Sequence, residues 1–379
     1  MAQRTRRRYE LREPKLDQML ENLVEEAKNL YAGSDSAEYV RQIMVSALGL
    51  MRDGASRGDL KLIHSALKEL RHSFRVFAPY RHLRKVAIFG SARTAPDHPD
   101  WKQAYDFAER MAVEGWMTIT GAGDGIMGAA QGGAGREASF GVNIRLPFEQ
   151  SANKVIAGDH KLISFRYFFT RKITFVKEAH AIALFPGGFG THDEGFEALT
   201  LIQTGKSEIL PIVFVDAPGG TYWKAWNEYV ACHLSARGLI NEQDLALYKI
   251  TDDVDEAVRE IQNFYSNYHS SRYVGDLLVL RVRQAPNADQ LDELNTRFGD
   301  ILSKGKIEIA KALPSEAGEV EHYPRVTLHF NRRNVGRLRT LIDRINSFVA
   351  EPAAPPLDAS PHEIVEEPFS LAAETAQEG

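Results

Sequence analysis

The sequence predicts an α/β protein: a Rossmann-like doubly wound parallel sheet, with an N-terminal helical extension and a small C-terminal α+β domain. Three observations support this. From residue 85, short apolar runs alternate with stretches of helical spacing, as in a parallel sheet with helices on both faces. Glycine-bearing turns follow three of these runs, at the edge where such sheets bind ligands. Residues 15–77, before the alternation, show helical spacing only.

Composition and length indicate a globular enzyme with more than one domain. The chain has 379 residues, of which 44% are hydrophobic and 26% are charged. No apolar run approaches the roughly 20 residues of a membrane span, and no signal peptide is visible, so we expect no membrane partner. Cys232 is the only cysteine, which excludes internal disulfides and favours a cytoplasmic location. The 12 histidines lack metal-ligand spacing, so we expect no metal.

Charge is unevenly distributed along the chain. The net charge is −5, but residues 351–379 hold seven acidic side chains and no Lys or Arg, which leaves +2 (46 − 44) for the rest. We predict that residues 350–379 are a disordered acidic tail. Five arginines lie among the first twelve residues. We interpret them as a solvated, frayed terminus rather than a nucleic-acid tether, so nucleic acid is not an expected partner.

The predicted domains follow one another along the chain. Residues 1–80 form the helical extension, with two or three helices and a packing or dimerisation role. Residues 81–268 form the Rossmann-like domain. Its predicted strands are 86–90, 116–120, 140–146, 181–185 and 210–215. Its predicted helices are 101–114, 125–136, 167–178, 191–205, 221–236 and, with an Asp cap, 252–267. Residues 274–348 read as β-α-β-β-α, the small α+β domain, with its first strand at 274–282.

The first two glycine turns favour a ligand site weakly. Gly90-Ser91 follows the first strand, and TGAGDGIMGAA at 120–130 follows the second. The second turn approaches the dinucleotide fingerprint, but the strand after it ends in Arg145-Leu146-Pro147 rather than in an acidic residue. An NAD site is therefore disfavoured. Tight strand–helix packing is the alternative role for these glycines.

The third turn is more specific, because PGGFGT at 186–191 opens a helix. A strand, a glycine turn and a helix N-terminus together form an anion site, since free N–H groups and the helix dipole favour negative charge. Asp193, Glu194 and Glu197 follow directly. Three carboxylates would repel a phosphate, so they are not explained by phosphate binding alone. They are explained if one carboxylate acts on the ribose of a nucleotide whose phosphate the turn binds. The alternative for Glu194 is a capping box with Thr191.

Two further segments carry candidate residues. Arg171-Lys172 lies inside an apolar and aromatic helix. These cations either form a solvated face or reach the sheet edge, where Arg171 could bind phosphate or carboxylate with its planar fork. The loop 142–154, with Arg145, Glu149, Gln150 and Asn153, either contacts base and sugar or is a plain crossover.

These motifs together resemble the LONELY GUY family, long described as lysine decarboxylases. The resemblance covers about residues 84–265 and rests on TGAGDGIMGAA, the TRK at 170–172 and PGGFGTHDEGFEALTLIQTGK. It implies a nucleoside 5′-monophosphate phosphoribohydrolase acting on AMP or related nucleotides, without a cofactor, as a homodimer or higher homo-oligomer. His192, Asp193, Gly195 and Ala122 depart from the family pattern. These departures leave the substrate range open.

Residue roles carried over from the resemblance are as follows. Arg171 and Glu194 match the catalytic pair. The substrate-binding residues expected from the turns and helices are Gly90, Ser91, Gly121, Gly123, Gly125, Met127, Lys172, Gly187, Gly188, Gly190, Thr191 and Glu197. A nucleotide-binding regulatory protein that uses the same pocket without hydrolysis is the alternative. A pyridoxal-dependent decarboxylase is disfavoured, because no lysine lies in a recognisable cofactor context.

Overall fold

The computed structural model describes residues 9–31, 37–145, 152–316 and 320–349. It divides into two compact units, Met1–Arg71 and His72–Gly379. The predicted disordered tail at 350–379, most of the basic arm, and residues 146–151 of the loop after the third strand lie outside the described residues.

The first unit is helical, as its spacing predicts. The helices are α1 (Pro14–Leu30), α2 (Ala37–Arg52) and α3 (Arg57–Phe77), the last of which continues into the second unit. Leu11, Leu20 and Val45 form a small buried cluster. None of the described helices is long and apolar enough to cross a membrane.

The second unit contains the predicted parallel sheet, with seven strands. In chain order the strands are β1 (Lys85–Phe89), β2 (Met117–Thr120), β3 (Ser139–Ile144), β4 (Leu162–Phe165), β5 (Ala181–Leu184), β6 (Ile212–Val215) and β7 (Tyr248–Thr251). All neighbouring strands pair in parallel. The helices between and after them are α4 (Pro99–Val113), α5 (Ile126–Ala134), α6 (Phe168–Glu178), α7 (Phe189–Gln203), α8 (Tyr222–Tyr229) and α9 (Val254–Phe264). The α/β fold class is thereby confirmed.

The strand order β4-β3-β2-β1-β5-β6-β7 creates a switch point between β1 and β5. From β1 the chain builds outward on one side as far as β4, and then returns to build the other side from β5. Loops after β1 and β5 therefore leave in opposite directions and open a crevice at the carboxyl ends. Since β2 also borders β1, the three glycine-bearing turns leave from adjacent strands.

Two strands of this sheet were not predicted, and both lie at its edges. An edge strand is paired on one side only and needs no continuous apolar run. β4 alternates buried and half-buried side chains, and β7 has one buried residue of four. The helix predicted at 221–236 is α-helical to Tyr229 and continues as a wider π-type segment, Val230–Ser235. Asp253 caps α9 as predicted, by accepting a hydrogen bond from the Glu256 N–H.

A second, antiparallel sheet follows α9. Its strands are β8 (Tyr268–Val274), β9 (Leu277–Val282), β10 (Leu302–Ala310) and β11 (Arg325–Phe330), in the order β10-β11-β9-β8. Helices α10 (Ala288–Phe298) and α11 (Val335–Asn346) accompany it. The strand predicted at 274–282 is wrong at its start, because Gly275, with φ of +66°, lies in a hairpin turn between β8 and β9. Side chains from both sheets join one hydrophobic core.

Candidate functional site

The glycine-bearing turns after β1, β2 and β5 bind one another through their backbones. The Ser91 N–H donates to the carbonyl of Pro186 at 3.1 Å, and the Ile126 N–H donates to the carbonyl of Ser91 at 3.0 Å. Gly125 has φ of +61°, and a Cβ there would lie 2.3 Å from the Ser91 carbonyl oxygen. No other residue allows this approach. The packing role considered for the glycines of the second turn therefore holds for Gly125.

A cavity of about 960 Å³ lies over these turns. It contains most of the predicted catalytic and phosphate-binding positions. Its lining residues are Phe89, Gly90, Ser91, Ala92, Arg93, Met127, Phe168, Arg171, Gly187, Gly188, Phe189, Gly190, Thr191, His192, Asp193 and Glu194. Arg93, Phe168 and Phe189 were not predicted to belong to the site. Phe189 is 97% exposed, so a large aromatic ring stands free at the cavity mouth.

Helix α7 presents its N-terminus to this cavity. Gly188 is the N-cap, and the helix begins at Phe189, two residues before the predicted start. The first N–H groups of a helix have no partner within it and favour an anion. Thr191 turns inward, and its Oγ1 lies 2.1 Å from where a Cβ at Gly187 would be placed. The turn can therefore close over Thr191 only with glycine at position 187.

Two aromatic side chains hold this turn from its other side, and sequence reasoning missed both. The Tyr222 hydroxyl donates to the carbonyl of Gly187. The Nδ1 atom of His192 lies 3.2 Å from the carbonyl oxygen of Gly188, and its Nε2 atom lies 3.5 Å from the Tyr222 hydroxyl. Because the carbonyls of Gly187 and Gly188 accept these contacts, the peptide groups of the turn are held in one orientation. Tyr222 lies 35 residues after Gly187 and carries no sequence signal for this contact.

The capping-box alternative for Glu194 is wrong. Thr191 lies within the first turn of α7 rather than at the N-cap, and the N-cap residue makes no side-chain capping bond. The Glu194 side chain is 11% exposed and forms part of the cavity wall. Burial raises the pKa of Glu194, while the charges of Lys172 and Arg171 act against that rise. A buried carboxylate with a perturbed pKa in a cleft is typical of functional sites.

Lys172 binds the three carboxylates of α7. Its Nζ atom lies 2.6 Å from Glu197, 2.9 Å from Asp193 and 3.5 Å from Glu194. Burial alone would lower the pKa of Lys172, but the hydrogen bonds to Glu197 and Asp193 and the charge of Glu194 outweigh it and raise that pKa. Lys172 is 16% exposed, so it is not part of a solvated face.

Arg171 reaches the cavity from α6. Its Nη2 atom lies 2.8 Å from where a Cβ on Gly121 would be placed, so the guanidinium passes directly over the second glycine turn. Its Cζ atom lies 5.5 Å from the ring centre of Phe175. The sequence left open whether Arg171 and Lys172 face solvent or the sheet edge. The structure places both at the sheet edge.

The remaining predicted residues lie behind the lining. Gly121 and Gly123 are covered by Met127, whose side chain approaches to 2.8 Å of a Cβ built on either one. Lys172 and Glu197 support Glu194 without being among the lining residues that the structure describes. Gly90 is itself a lining residue, and it also packs against Ile126, whose side chain would lie 2.6 Å from an added Cβ.

The described part of the loop at 142–154 supports the second glycine turn. Asn153 is buried, and its amide donates to the carbonyls of Ala122 and Gly123 and to Oε1 of Gln131. It therefore fixes the second glycine turn and is not among the lining residues of the cavity. The base or sugar contact considered for this loop stays a prediction. Arg145 is exposed. Glu149 and Gln150 lie outside the described residues. Across the described ranges, no group of three or more His, Cys, Asp or Glu is placed to hold a metal ion.

Comparisons with known proteins give one match to a family model and several remote structural likenesses. Residues 125–261 match the family model described as "Possible lysine decarboxylase". A search among curated proteins found no match. The molybdenum cofactor carrier protein of Chlamydomonas reinhardtii is 20% identical over 46% of this chain and 94% of its own, with a TM-score of 0.33. The molybdenum cofactor binding protein of Rippkaea orientalis is 20% identical over 46% and 92%, with a TM-score of 0.31. Values this low do not bear on what the chain binds.

Proposed function

Because residues 125–261 form a domain of the possible lysine decarboxylase family, the LONELY GUY family, we propose that the chain is a nucleoside 5′-monophosphate phosphoribohydrolase. It hydrolyses the N-glycosidic bond of AMP or a related nucleotide and releases the free base and ribose 5-phosphate. The observation that carries this proposal is the buried carboxylate of Glu194 in the wall of a cavity that also contains a helix N-terminus.

The 5′-phosphate is bound at the N-terminus of α7. Gly188, Phe189 and Gly190, at the start of α7, line the cavity, and the first N–H groups of a helix have no partner within it. The helix dipole adds a favourable interaction with the dianion. Arg171, on the facing helix, provides a positive charge at the same cavity. A nucleotide held by its phosphate in this way places its ribose over the following turn of α7, where Glu194 lies.

Glu194 acts as a carboxylate. Cleavage of the glycosidic bond develops oxocarbenium character on the ribose, and a nearby anion stabilises that charge. Glu194 also orients the attacking water. Lys172 supports this role from behind: its contacts with Asp193, Glu194 and Glu197 offset the mutual repulsion of three carboxylates. Lys172 is thus a positioning residue, whereas Arg171 and Glu194 are the proposed catalytic residues.

A nucleotide-binding regulatory protein is the alternative function. It would use the same helix N-terminus and cavity without turnover. Binding a phosphate monoester requires no carboxylate beside it, and a buried carboxylate opposes anion binding by like-charge repulsion. The position of Glu194 therefore supports hydrolysis over simple binding.

We also propose a homo-oligomer located in the cytoplasm. Helix α6 exposes three large apolar side chains, Phe168, Phe169 and Ile173, which are 52%, 46% and 48% exposed. An apolar face of this kind beside a binding cleft is typical of a subunit contact. Light scattering of the purified protein tests the assembly.

The activity is tested with a panel of AMP, GMP, IMP, CMP, UMP and isopentenyl-AMP, analysed by chromatography. The wild type is compared with Glu194→Gln and with Glu228→Gln, a matched control at an exposed position of α8. We expect free base and ribose 5-phosphate from the wild type and from the control, and none from Glu194→Gln. Binding of nucleotides without release of base from any of them would replace hydrolysis by the regulatory function.

A further inference from the structure

Most of helix α3 exposes an apolar stripe. From Arg57 to Arg71 no residue is buried. The stripe consists of Leu60, Ile63 and Leu67, which are 39%, 43% and 51% exposed. Spacings of three and four residues place these side chains on one side of the helix. Helices normally turn such a side toward a core, so its exposure here marks an interaction surface.

A ridge of positive charge runs beside the apolar stripe. Its members follow one another at three, four or seven residues and therefore share one side of α3; they are Arg57, Lys61, Lys68, Arg71 and Arg75. At 3.6 residues per turn, this side adjoins the apolar stripe. Within the part of the chain that the structure describes, none of the five is ion-paired to a carboxylate. A partner for α3 should therefore be both apolar and acidic.

The end of α3 is packed, so the exposed part is not a frayed terminus. Ser73 and Phe77 are buried. The Ser73 hydroxyl lies 3.2 Å from that of Thr174 on α6, and the ring of Phe77 stacks on that of Phe140 with centres 4.2 Å apart. The exposed part is thus the continuation of a helix that is fixed at its other end.

The chain itself contains a segment of matching chemistry. Residues 351–379 hold seven acidic side chains and no Lys or Arg. Within them, HEIVEEPFSL at 362–371, the acidic segment, combines three glutamates with four apolar residues. These are Glu363, Glu366 and Glu367, and Ile364, Val365, Phe369 and Leu371. The acidic segment lies outside the residues that the structure describes.

We propose that the acidic segment of the same chain binds to α3. Its apolar side chains cover the apolar stripe, and its glutamates face the cationic ridge. The residues that connect Val349 to Glu363 reach about 45 Å when extended, which is about the width of a compact domain. The connection is therefore long enough to carry the segment across the surface of the molecule.

Two other partners suit a basic amphipathic helix less well. An anionic lipid surface could bind the same face. The acidic segment has the advantage of its covalent connection, which gives an effective concentration on the order of millimolar. The α3 helix of a second copy would bring a second cationic ridge against the first, and like charges oppose that contact.

The test reverses the charge on each side of the proposed contact in the full-length protein. The segment variant carries Glu363→Lys, Glu366→Lys and Glu367→Lys. The ridge variant carries Lys61→Glu, Lys68→Glu and Arg71→Glu. We expect amide hydrogen exchange of residues 57–71, followed by mass spectrometry, to be roughly fivefold faster in either variant than in the wild type. Combining the two sets should slow exchange again, because opposite charges then face each other.

A matched control changes the same part of the sequence outside the acidic segment. Glu374→Lys with Glu378→Lys removes negative charge from residues 351–379 but leaves residues 362–371 intact. Exchange of residues 57–71 should be as slow in this protein as in the wild type. Equal acceleration by the control and by the segment variant would show that net charge, rather than the acidic segment, governs α3.

A labelled peptide of residues 361–372 measures the contact directly by fluorescence anisotropy. It should bind the segment variant more tightly than the wild type, because the wild type's own segment competes for α3. Raising the salt concentration from about 0.05 M to about 0.5 M should weaken binding, since exposed charges are screened. Phe369→Ala in the peptide should weaken binding roughly tenfold through the loss of buried apolar area.

Three results would overturn the proposal. The first is equal exchange of residues 57–71 in the wild type and in the segment variant. The second is protection of these residues by phosphatidylserine vesicles to the same extent in both proteins, which would assign the face to a membrane. The third is protection that rises with protein concentration and ignores the segment's charge, which would assign it to a second copy. None of these readouts involves nucleotide hydrolysis, so the proposed function can fail independently.

Discussion

The Nζ atom of Lys172 on α6 lies 3.5 Å from Oε2 of Glu194 on α7, so one cation from a neighbouring helix faces the proposed catalytic carboxylate. The same ammonium also binds Asp193 and Glu197. Burial therefore raises the pKa of Glu194, while the positive charge of Lys172 lowers it. The pH dependence of activity should report both effects.

Activity should be lost in acid through the protonation of Glu194. The carboxylate is the active form, and burial raises its pKa above the ordinary value of about 4.3. Activity should consequently be full above the raised pKa and fall as the pH drops through it. The pH profile of kcat/KM measures this. An acid limb at or below the ordinary glutamate pKa would contradict the proposed role.

Replacing Lys172 by Met should move that acid limb to higher pH. Without the ammonium, burial and the neighbouring carboxylates raise the pKa of Glu194 further, because only the charge of Arg171 still opposes them. Lys172→Arg, which keeps the charge, should leave the limb close to that of the wild type. If Lys172→Met lowers the maximal kcat/KM but leaves the pH of the acid limb unchanged, Lys172 has a purely structural role.

Glu194→Gln should be more thermostable than the wild type at neutral pH. A buried carboxylate whose pKa is raised on folding destabilises the folded state above that pKa, and the neutral amide avoids this cost. We expect a rise in Tm of roughly 1–4 °C. The gain should shrink as the pH falls through the raised pKa, because Glu194 of the wild type is then neutral in the folded state. Differential scanning calorimetry at several pH values tests this, and a lower Tm at neutral pH would contradict it.

Two glycines of the phosphate turn should respond differently to alanine. At Gly187 an added Cβ would lie 2.1 Å from Thr191 Oγ1 and 2.9 Å from the Ser91 nitrogen, whereas at Gly190 no atom lies within 4 Å. Gly187→Ala should lower stability by about 1–3 kcal/mol and raise KM at least tenfold. Gly190→Ala should keep or slightly raise stability, since alanine favours a helix by about 0.5–1 kcal/mol over glycine.

Thermal unfolding and steady-state kinetics of these two variants separate fold from binding. If phosphate approaches the backbone at position 190, Gly190→Ala should raise KM while its Tm is unchanged. Equal losses of stability in the two variants would show that the close contact at Gly187 does not govern the turn.

Tyr222→Phe should weaken substrate binding with a small effect on stability. The hydroxyl holds the carbonyl of Gly187, and its loss frees the peptide that precedes the helix N-terminus. We expect KM to rise roughly three- to tenfold, in line with a hydrogen bond of about 0.5–1.5 kcal/mol. Tyr229→Phe, on the same helix and 53% exposed, is the control and should behave as the wild type. Identical KM values for both variants would remove Tyr222 from the site.

Much of the fold could be predicted because its central strands are continuous apolar runs. β1, β2 and β5 are buried on both faces, and each was predicted to within two residues at either end. The edge strands β4 and β7 were not predicted, because a half-exposed strand of four residues has no such apolar run. The hairpin at Gly275 was not predicted for a different reason. Its turn has only two residues, so the strand-like pattern of the sequence continues from β8 into β9 without a visible break.

The roles of two site residues changed when neighbouring segments were placed. Glu194 has capping-box spacing from Thr191, but the hydrogen bonds between the turns at Ser91 and Pro186 set the preceding loop, and α7 begins earlier at Phe189. Asn153 lies in a polar loop suited to ligand contact, yet it is buried against the carbonyls of Ala122 and Gly123. For both residues, the role depends on contacts with backbone groups or with residues distant in sequence, and the local pattern shows neither.

The amino-acid sequence was sufficient to predict the alternation of strands and helices, the three glycine turns at one sheet edge, and the residue types of the proposed catalytic pair. These features depend on local periodicity and on backbone conformations that only glycine adopts readily, and both can be recognised in short segments of sequence. The contacts of Lys172 with three carboxylates, the hydrogen bond from Tyr222 to Gly187 and the burial of Asn153 against the second glycine turn arise only when distant segments pack together. Burial and charge compensation depend on which segments pack together, and that packing is a property of the whole fold.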